Sequence, residues 1–294
     1  MAPHVLHHYI GRMTNPDPRP RTILVTGATD GIGLETARQL VAMGHRVIVH
    51  GRRPERVAAA VEALGSGGAI TSALADLADL ASVRAMAADL LARGETIEVL
   101  INNAGIYAND PALTVDGFES TFAVNHLAPF LLTHLLLPAR APTGARIVNV
   151  SSIAHTRGRL DARTWRSLAG FDPYGAYAQS KLANVLFTVA LARRLPPRVA
   201  TFALHPGVVS TKLLTEGFGM RGADSLADGA DTSVCLATSP DADALSGQYV
   251  VKRRAARAHP LASDRAATEA FYLESAAMVG VTPLPEGLSN QNAR

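Results

Sequence analysis

The chain alternates two hydrophobic patterns from residue 22 to residue 279. Short apolar runs predict buried strands at 22–25, 46–50, 69–74, 97–101, 146–150, 199–205 and 247–251. Between them, apolar residues recur at helical spacing, which predicts a first helix opening at Gly33 and others at 54–64, 80–93, 117–137, 174–194, 225–237 and 263–279. Strands that alternate with helices over short connections are typical of a parallel sheet covered on both faces. We therefore predict an α/β fold, a doubly wound parallel sheet of about seven strands in three layers.

The same pattern sets the domain organisation. No internal repeat or low-complexity linker interrupts it, so we predict a single domain over 22–281. Its segment 211–224 carries apolar residues among glycines, as expected of a mobile lid. Residues 1–21 and 282–294 are predicted to be loose tails.

The first strand runs directly into a glycine-rich turn, TGATDGIG at 26–33. Gly27 would permit the sharp turn, Gly31 would let a ligand approach the backbone, and Gly33 would let the helix pack on the strand. Backbone N–H groups and the positive end of the helix dipole would then point at one spot, which suits a pyrophosphate. A glycine-rich surface turn without a ligand would look the same, so this turn does not decide the function alone.

Composition narrows the class of protein. The single cysteine, Cys235, excludes an intramolecular disulfide and favours a reducing, cytoplasmic location. No run of roughly 18 apolar residues occurs, so no membrane anchor is expected. The net charge is +3, and the one basic cluster, at 252–257, has no interleaved aromatic residues, so no nucleic-acid partner is expected. We interpret His4, His7 and His8 as part of the loose tail, and we expect no metal site.

The second strand ends at Arg52 and Arg53, where such sheets normally choose their nucleotide. An acidic residue there would accept hydrogen bonds from a free ribose diol, whereas a guanidinium group suits a 2′-phosphate. We therefore expect NADP(H) to be preferred over NAD(H). Asp30 in the glycine turn argues against this preference, and simply solvated arginines are the other alternative. Asp76, after the third strand, is either an acceptor for the adenine amino group or an exposed loop aspartate.

A tyrosine and a lysine at i, i+4 spacing are the main candidates for chemistry. Tyr177 and Lys181 would share one helix face, and a cation within about 4–6 Å lowers the pKa of a phenol. The pair could then exchange a proton with an alcohol or carbonyl at neutral pH, although a surface tyrosine and lysine would show the same spacing. Ser151 and Ser152 end the fifth strand, where such sheets bind ligands. Asn125 either caps or kinks its helix or joins a hydrogen-bond relay to Lys181.

Taken in order, these motifs resemble the short-chain dehydrogenase/reductase family over essentially 22–251. They are TGATDGIG at 26–33, DL at 76–77, NNAG at 102–105, N at 125, SS at 151–152, YAQSK at 177–181 and HPGVVST at 205–211. The resemblance implies a Rossmann fold in which Tyr177 is the general acid/base and Lys181 holds the nicotinamide ribose and tunes Tyr177. It also implies that Ser152 polarises the substrate oxygen and that Asn125 holds a water in a proton relay. The predicted cofactor site comprises Gly27, Thr29, Asp30, Gly31, Ile32, Gly33, Arg52, Arg53, Asp76, Leu77, Asn103, Ala104, Gly105, Tyr177, Lys181, Pro206, Gly207, Val209 and Thr211.

The spacing and sequence of the motifs indicate which branch of this family the chain resembles. Ser152 and Tyr177 are 25 positions apart, and SKLANVLF and VNHLAPFLLT look like the retinol-dehydrogenase and WW-domain-oxidoreductase branch. Many of those relatives carry a membrane anchor or a WW domain, which this sequence lacks. The expected substrate is therefore a bulky apolar carbonyl compound or alcohol rather than a retinoid in particular.

Three hypotheses for the function follow. The main one is an NADP(H)-dependent oxidoreductase that interconverts an alcohol and a ketone or aldehyde. A catalytically silent NADP(H)-binding sensor is the alternative, but a sensor has no need of Tyr177. An epimerase or dehydratase would normally show a differently spaced glycine turn and a longer substrate domain.

The substrate pocket and the assembly are also predicted. Segments that follow strand ends should supply the pocket, through Ile106, Tyr107, Ile153, Leu213, Leu214 and Phe218. A surface loop docked on the core is the alternative for 213–220. The helix with Phe130, Leu131, Leu132, Leu135 and Leu136 is apolar nearly all round, and the helix with Tyr177 has a broad apolar stripe of Leu182, Val185, Leu186 and Val189. The family resemblance suggests that these two helices pair across a two-fold axis in a homodimer.

Overall fold

A computed structural model of the chain describes residues 19–65, 69–137 and 144–287. Within these residues, eight strands form one sheet in the order β3-β2-β1-β4-β5-β6-β7-β8. The strands are β1 Thr22–Val25, β2 Arg46–Gly51, β3 Ile70–Leu74, β4 Val99–Asn102, β5 Arg146–Val150, β6 Ala200–His205, β7 Tyr249–Val251 and β8 Arg254–Ala255. Every pair is parallel except β7 with β8. The predicted doubly wound parallel sheet is confirmed.

The strand β8 is one more than the seven predicted, and it belongs to the basic cluster. Lys252 and Arg253 take φ angles of 48° and 62°, so the chain reverses tightly and Arg254 pairs with Val251. Arg253 also forms an ion pair with Asp231. A two-residue strand of arginine and alanine has no hydrophobic alternation, which is why the pattern did not predict it.

Seven helices lie on the two faces of the sheet in the described part of the chain. They are α1 Gly31–Ala42, α2 Pro54–Leu64, α3 Leu80–Ala92, α5 Pro173–Ala192, α6 Leu226–Thr238 and α7 Arg265–Val279, with α4 made of three consecutive segments, Ser120–Phe122, a π-helical Ala123–Leu127 and Ala128–Leu136. Capping side chains fix the starts of these helices except that of α2, which begins at Pro54 without a side-chain cap. Asp30 accepts from the Gly31 N–H, so α1 begins two residues before the predicted Gly33. Glu119 accepts from the N–H groups of the first turn of α4, which starts it at residue 120 rather than 117.

The helices divide into two layers because successive strand residues point to opposite faces. Ile23, Val25, Val47 and Val49 pack with α1, α2 and α6 on one face. The alternate residues, among them Leu24, pack with α3, α4, α5 and α7 on the other. The result is the predicted single domain of three layers.

The last helix, α7, covers the apolar side of α4. The His134 ring and the Tyr272 hydroxyl are 2.7 Å apart, and the rings of Phe130 and Tyr272 have centroids 5.3 Å apart. Phe130 and Leu131 are fully buried within the single chain. Packing within the chain therefore explains the apolar composition of α4. This composition is then no longer an argument for a homodimer, and the homodimer stays a prediction.

Contacts extend beyond both predicted ends of the domain. Arg21 is 5% exposed, and its N–H donates to the His45 Nδ1 at 3.2 Å. The Leu284 N–H donates to the Tyr272 hydroxyl at 3.2 Å, and Glu286 forms ion pairs with three arginines. Hydrogen bonds and ion pairs hold these residues on the domain. The pattern of hydrophobic positions does not predict such polar contacts. Residues 1–18, with His4, His7 and His8, and residues 288–294 of the predicted tails lie outside the described residues. No described helix is long and apolar enough to span a membrane.

Candidate active site

A cleft of about 800 Å³ opens at the carboxyl ends of the strands, beside β1 and β4. At this point the strand order reverses, which is where such sheets bind ligands. The structure brings most of the predicted cofactor residues to its walls: Gly27, Thr29, Asp30, Gly31, Ile32, Gly33, Arg52, Asp76, Leu77, Asn103, Ala104, Gly105 and Thr211. Ile106 and Leu213, predicted for the substrate pocket, line the same cleft.

The glycine turn and the loop after β4 fit each other closely. Gly27 has a φ of 65°, and a Cβ added there would lie 2.9 Å from the Ala104 Cα. A Cβ on Gly33 would lie 2.3 Å from the Asn103 Nδ2, so this glycine makes room for a side chain of the loop. The Thr26 hydroxyl accepts from the N–H groups of Asn103 and Ala104, both at 3.0 Å. The two motifs therefore form one rigid cradle.

Charged side chains gather around the glycine turn and the end of β2 in this cleft. Arg52 lies 3.5 Å from Asp76, whereas Arg53, at the N-cap of α2, is not among the lining residues. Two cations that the sequence reasoning missed, Arg56 and Lys212, line the cleft instead. Both pair with Asp30, and the hydrogen bond from Lys212 is the main cause that lowers the pKa of its carboxyl.

His50 is a further lining residue that the sequence reasoning missed. Its Nδ1 accepts from the Gly27 N–H at 3.2 Å, and its Nε2 lies 3.3 Å from the Ala75 carbonyl oxygen. Burial lowers the pKa of His50 to about 4, so the ring is neutral at physiological pH. Its position one residue before the end of β2, at the edge where the cleft opens, is the signal in the sequence that could have identified it.

Tyr177 and Lys181 are buried one helical turn apart on α5. The Lys181 Nζ donates to the Val150 carbonyl at 3.0 Å and lies 5.5 Å from the centroid of the Tyr177 ring. Burial lowers the pKa of Lys181 to about 8. Since an ammonium with this pKa remains mostly charged at neutral pH, the structure places a cation beside the tyrosine, as the spacing predicted.

The pKa of Tyr177 differs from the sequence-based expectation. Burial raises it to about 12, while a hydrogen bond with Ser152 lowers it. We expected Lys181 to lower this pKa. Desolvation of the phenolate is instead the dominant cause, and the lowering comes from Ser152. The chain alone thus holds Tyr177 in its protonated form. Ser151 has a different role, because its hydroxyl donates to the Lys181 carbonyl at 2.7 Å and holds α5 on the sheet.

Asn125 connects the loop after β4 to the catalytic helix. It lies in the π-helical part of α4, a geometry that is frequent at functional sites. Its side chain exchanges two hydrogen bonds with the backbone of Ile106, at 2.7 and 2.9 Å, and donates to the Ser180 hydroxyl at 3.0 Å. A Cβ on Gly105 would lie 3.3 Å from both the Asn125 Oδ1 and the Lys181 Nζ. A side chain larger than that of glycine at this position would require one of these two groups to shift.

Aromatic rings cover Tyr177 on the side away from the sheet. Phe218, after the π-helical turn Leu213–Gly217, has its ring centroid 4.2 Å from that of Tyr107 and 5.2 Å from that of Tyr177. Tyr174 contacts Phe218 from the other side, at 6.2 Å. The segment predicted as a lid therefore contacts Tyr177.

Other predicted residues lie further from this group. Ile153 is 54% exposed at the start of a 3-10 turn. Pro206 and Gly207 line a neighbouring cavity of about 520 Å³ with Asp224, and Val209 is buried outside the cleft. Leu214 is partly buried in the lid. The structure leaves their predicted roles as predictions.

The residues present fit a nicotinamide dinucleotide. The glycine cradle lies at the N-terminus of α1, which suits a pyrophosphate, and three cations line the cleft. The Lys181 ammonium lies beside Gly105, which also lines the cleft, and near the Tyr177 ring. An acid/base group next to a dinucleotide cleft is the arrangement of a hydride-transferring oxidoreductase.

Comparison with known proteins agrees with this class. A family model described as short chain dehydrogenase matches residues 21–222. The chain is 36% identical to retinol dehydrogenase 12 of Bos taurus over 96% of this chain and 94% of that protein. It is 41% identical to polyprenol dehydrogenase of Mus musculus over 84% of this chain and 80% of that protein. The crystal structure of NADPH-bound carbonyl reductase from chicken fatty liver has a TM-score of 0.65 and 25% identity, covering 82% of this chain and 99% of that one.

The chain belongs to the short-chain dehydrogenase/reductase family, in its retinol dehydrogenase branch. It is an oxidoreductase that acts on alcohol and carbonyl groups.

Proposed function

We propose that this protein is an NADP(H)-dependent oxidoreductase that interconverts an alcohol and a ketone or aldehyde of a bulky apolar small molecule. The observation that carries the proposal is the buried Tyr177, which lies beside Lys181 and Ser152 and next to the cradle for a dinucleotide. We also propose that the protein is cytoplasmic, and this proposal rests on its single cysteine alone.

Each catalytic side chain has a role that its surroundings support. A bound nicotinamide supplies the hydride in the reductive direction. The Tyr177 hydroxyl donates its proton to the carbonyl oxygen, and the Ser152 hydroxyl donates a hydrogen bond to the same oxygen. Because its pKa is raised to about 12, the phenol keeps this proton at neutral pH until the substrate oxygen takes it. The Lys181 ammonium then stabilises the phenolate that remains.

The charges at the cleft support NADP(H) as the cofactor. Arg52 stands at the end of β2, and Asp30, which would repel a 2′-phosphate, is paired with two cations. The chicken carbonyl reductase of the same family has NADPH bound. A charge-assisted hydrogen bond contributes about 1.5–3 kcal/mol, enough for a tenfold preference or more.

The walls around Tyr177 support a bulky apolar substrate. Tyr107, Tyr174 and Phe218 form an apolar cluster with Tyr177 and Leu213. Such rings offer a large contact area to a hydrophobic molecule and few hydrogen bonds to a polar one. The names of the two relatives, retinol and polyprenol dehydrogenase, point in the same direction.

Turnover with a panel of carbonyl compounds tests the proposal. The purified protein is incubated with NADPH or NADH and with aldehydes and ketones of increasing apolar size. We expect oxidation of the cofactor, a kcat/KM at least about tenfold higher with NADPH, and higher kcat/KM for the larger apolar compounds. A clear preference for NADH, or no turnover of any carbonyl or alcohol, would overturn the proposal.

A further inference from the structure

The Asp30 carboxylate is held by two cations from different parts of the chain. The Arg56 Nη2, from the first turn of α2, lies 2.8 Å from its Oδ2, and the Lys212 Nζ lies 2.7 Å from the same atom. Its other oxygen, Oδ1, accepts from the Gly31 N–H at 2.8 Å. All three charged side chains line the cleft. One carboxylate oxygen is therefore matched by two positive charges.

These contacts contribute little to the stability of the fold. The side chains of Arg56, Lys212 and Asp30 are 38%, 65% and 49% exposed, and ion pairs this exposed are weak because water screens them. What they change is the charge at this end of the cleft. Without Arg56 and Lys212, two carboxylates, Asp30 and Asp76, would face the single cation Arg52. With them, the cations are in excess.

We propose that Arg56 and Lys212 determine cofactor specificity by neutralising Asp30. The inference rests on the proposed preference for NADP(H). An unpaired carboxylate in the glycine turn would repel the 2′-phosphate of this cofactor, and two cations on one of its oxygens cancel that repulsion. Asp30 can then remain as the N-cap of α1 without turning the site towards NAD(H). The selectivity for the phosphate is thus distributed over β2, α2 and the base of the lid.

The position of Lys212 links this charge to the lid. Its neighbour Thr211 lies against the glycine turn, with the Cγ2 3.4 Å from a Cβ built on Gly31. The Lys212 ammonium therefore reaches Asp30 when the base of the lid rests on the turn. Arg56 belongs to α2, outside the predicted lid, so its contact with Asp30 does not depend on that segment.

Binding measurements separate neutralisation from direct contact with the phosphate. The variants are Arg56→Gln with Lys212→Gln, alone and combined with Asp30→Asn. Asparagine keeps an oxygen for the helix cap, so the last change removes the charge only. Dissociation constants for NADP⁺ and NAD⁺, and for the fragments 2′,5′-ADP and 5′-AMP, are measured by titration without turnover. Arg93→Gln is the control, since Arg93 pairs with Asp89 at 2.8 Å with similar exposure, away from the cleft.

The double variant should lower the preference for NADP⁺ over NAD⁺ by at least about tenfold, and Asp30→Asn should restore it to within about threefold of the wild type. Arg93→Gln should leave it unchanged. The inference is overturned if the double variant keeps the wild-type preference, or if Asp30→Asn does not restore it. A wild-type protein that prefers NAD⁺ would refute the proposed cofactor, whereas the loss and its rescue would still support the role of Arg56 and Lys212.

Discussion

At the scale of single residues, the sequence predicted side chains that lie close to their partners along the chain. Tyr177 and Lys181 are one helical turn apart, so their spacing alone places them together. Arg56 and Lys212 escaped prediction because they meet Asp30 across 26 and 182 positions. The raised pKa of Tyr177 was not predicted either, because it depends on burial that only the folded chain provides.

Replacing Tyr177 by phenylalanine tests the proton donor. We expect Tyr177→Phe to lower kcat/KM for carbonyl reduction by at least about 10²-fold, because the variant lacks the hydroxyl that lies beside the Lys181 ammonium. The ring and its aromatic contacts remain, so the dissociation constant for NADPH should change by less than about threefold. Stopped-flow kinetics and fluorescence titration measure the two quantities. Turnover at the wild-type rate would show that another group donates the proton.

At the scale of elements, periodicity predicted the strands and the helices but not their local departures from α-helical geometry. The π-helical stretch Ala123–Leu127 widens one turn of α4, where the Asn125 side chain bonds to Ile106. A second π-helical turn, Leu213–Gly217, shapes the lid. Apolar spacing does not distinguish these turns from ordinary helix, because the contacts that favour them come from other elements.

Shortening two apolar side chains tests the lid. We expect Leu214→Ala with Phe218→Ala to raise KM for bulky apolar carbonyl compounds several-fold, since Phe218 contacts Tyr107 and Tyr177 where such a substrate would lie. KM for NADPH should stay nearly unchanged. Met220→Ala, on the same segment and 54% exposed, is the matched control. Equal losses for small and bulky substrates would indicate a structural defect instead.

At the scale of the whole molecule, the sequence predicted one three-layered domain and missed how its C-terminal end is attached. Glu286 accepts hydrogen bonds from Arg193 and Arg265, and Glu269 pairs with Arg194, which is fully buried and lies over the Tyr272 ring. These paired side chains are far apart in sequence and charged. An analysis of hydrophobic positions assigns charged residues to the surface, so it does not predict these pairs. Their side chains hold α7 on α5.

The acid sensitivity of this attachment is a prediction. Hydrogen bonds from Arg193, and then from Arg265, lower the pKa of Glu286 to about 2 from an ordinary value of 4.5. A carboxyl whose folded pKa is lowered stabilises the fold above its unfolded pKa and loses that effect as the pH falls towards the folded value. Glu286→Gln should therefore cost about 1 kcal/mol at pH 7, and the difference from the wild type should shrink below about pH 4.5.

Urea unfolding at a series of pH values from 7 to 3 measures this difference. Glu274→Gln serves as the control, because Glu274 is exposed on α7. A difference between Glu286→Gln and the wild type that stays constant over the whole range would contradict the assignment.

The cover that α7 gives to α4 has a consequence for the making of the protein. A ribosome releases the chain from its N-terminus, and all eight strands precede residue 256. At that stage Phe130 and His134 still lack Tyr272, which later packs on both. Translation therefore completes the sheet before it delivers the helix that shields one of its layers. The nascent enzyme carries an open apolar surface on α4 until α7 has been translated.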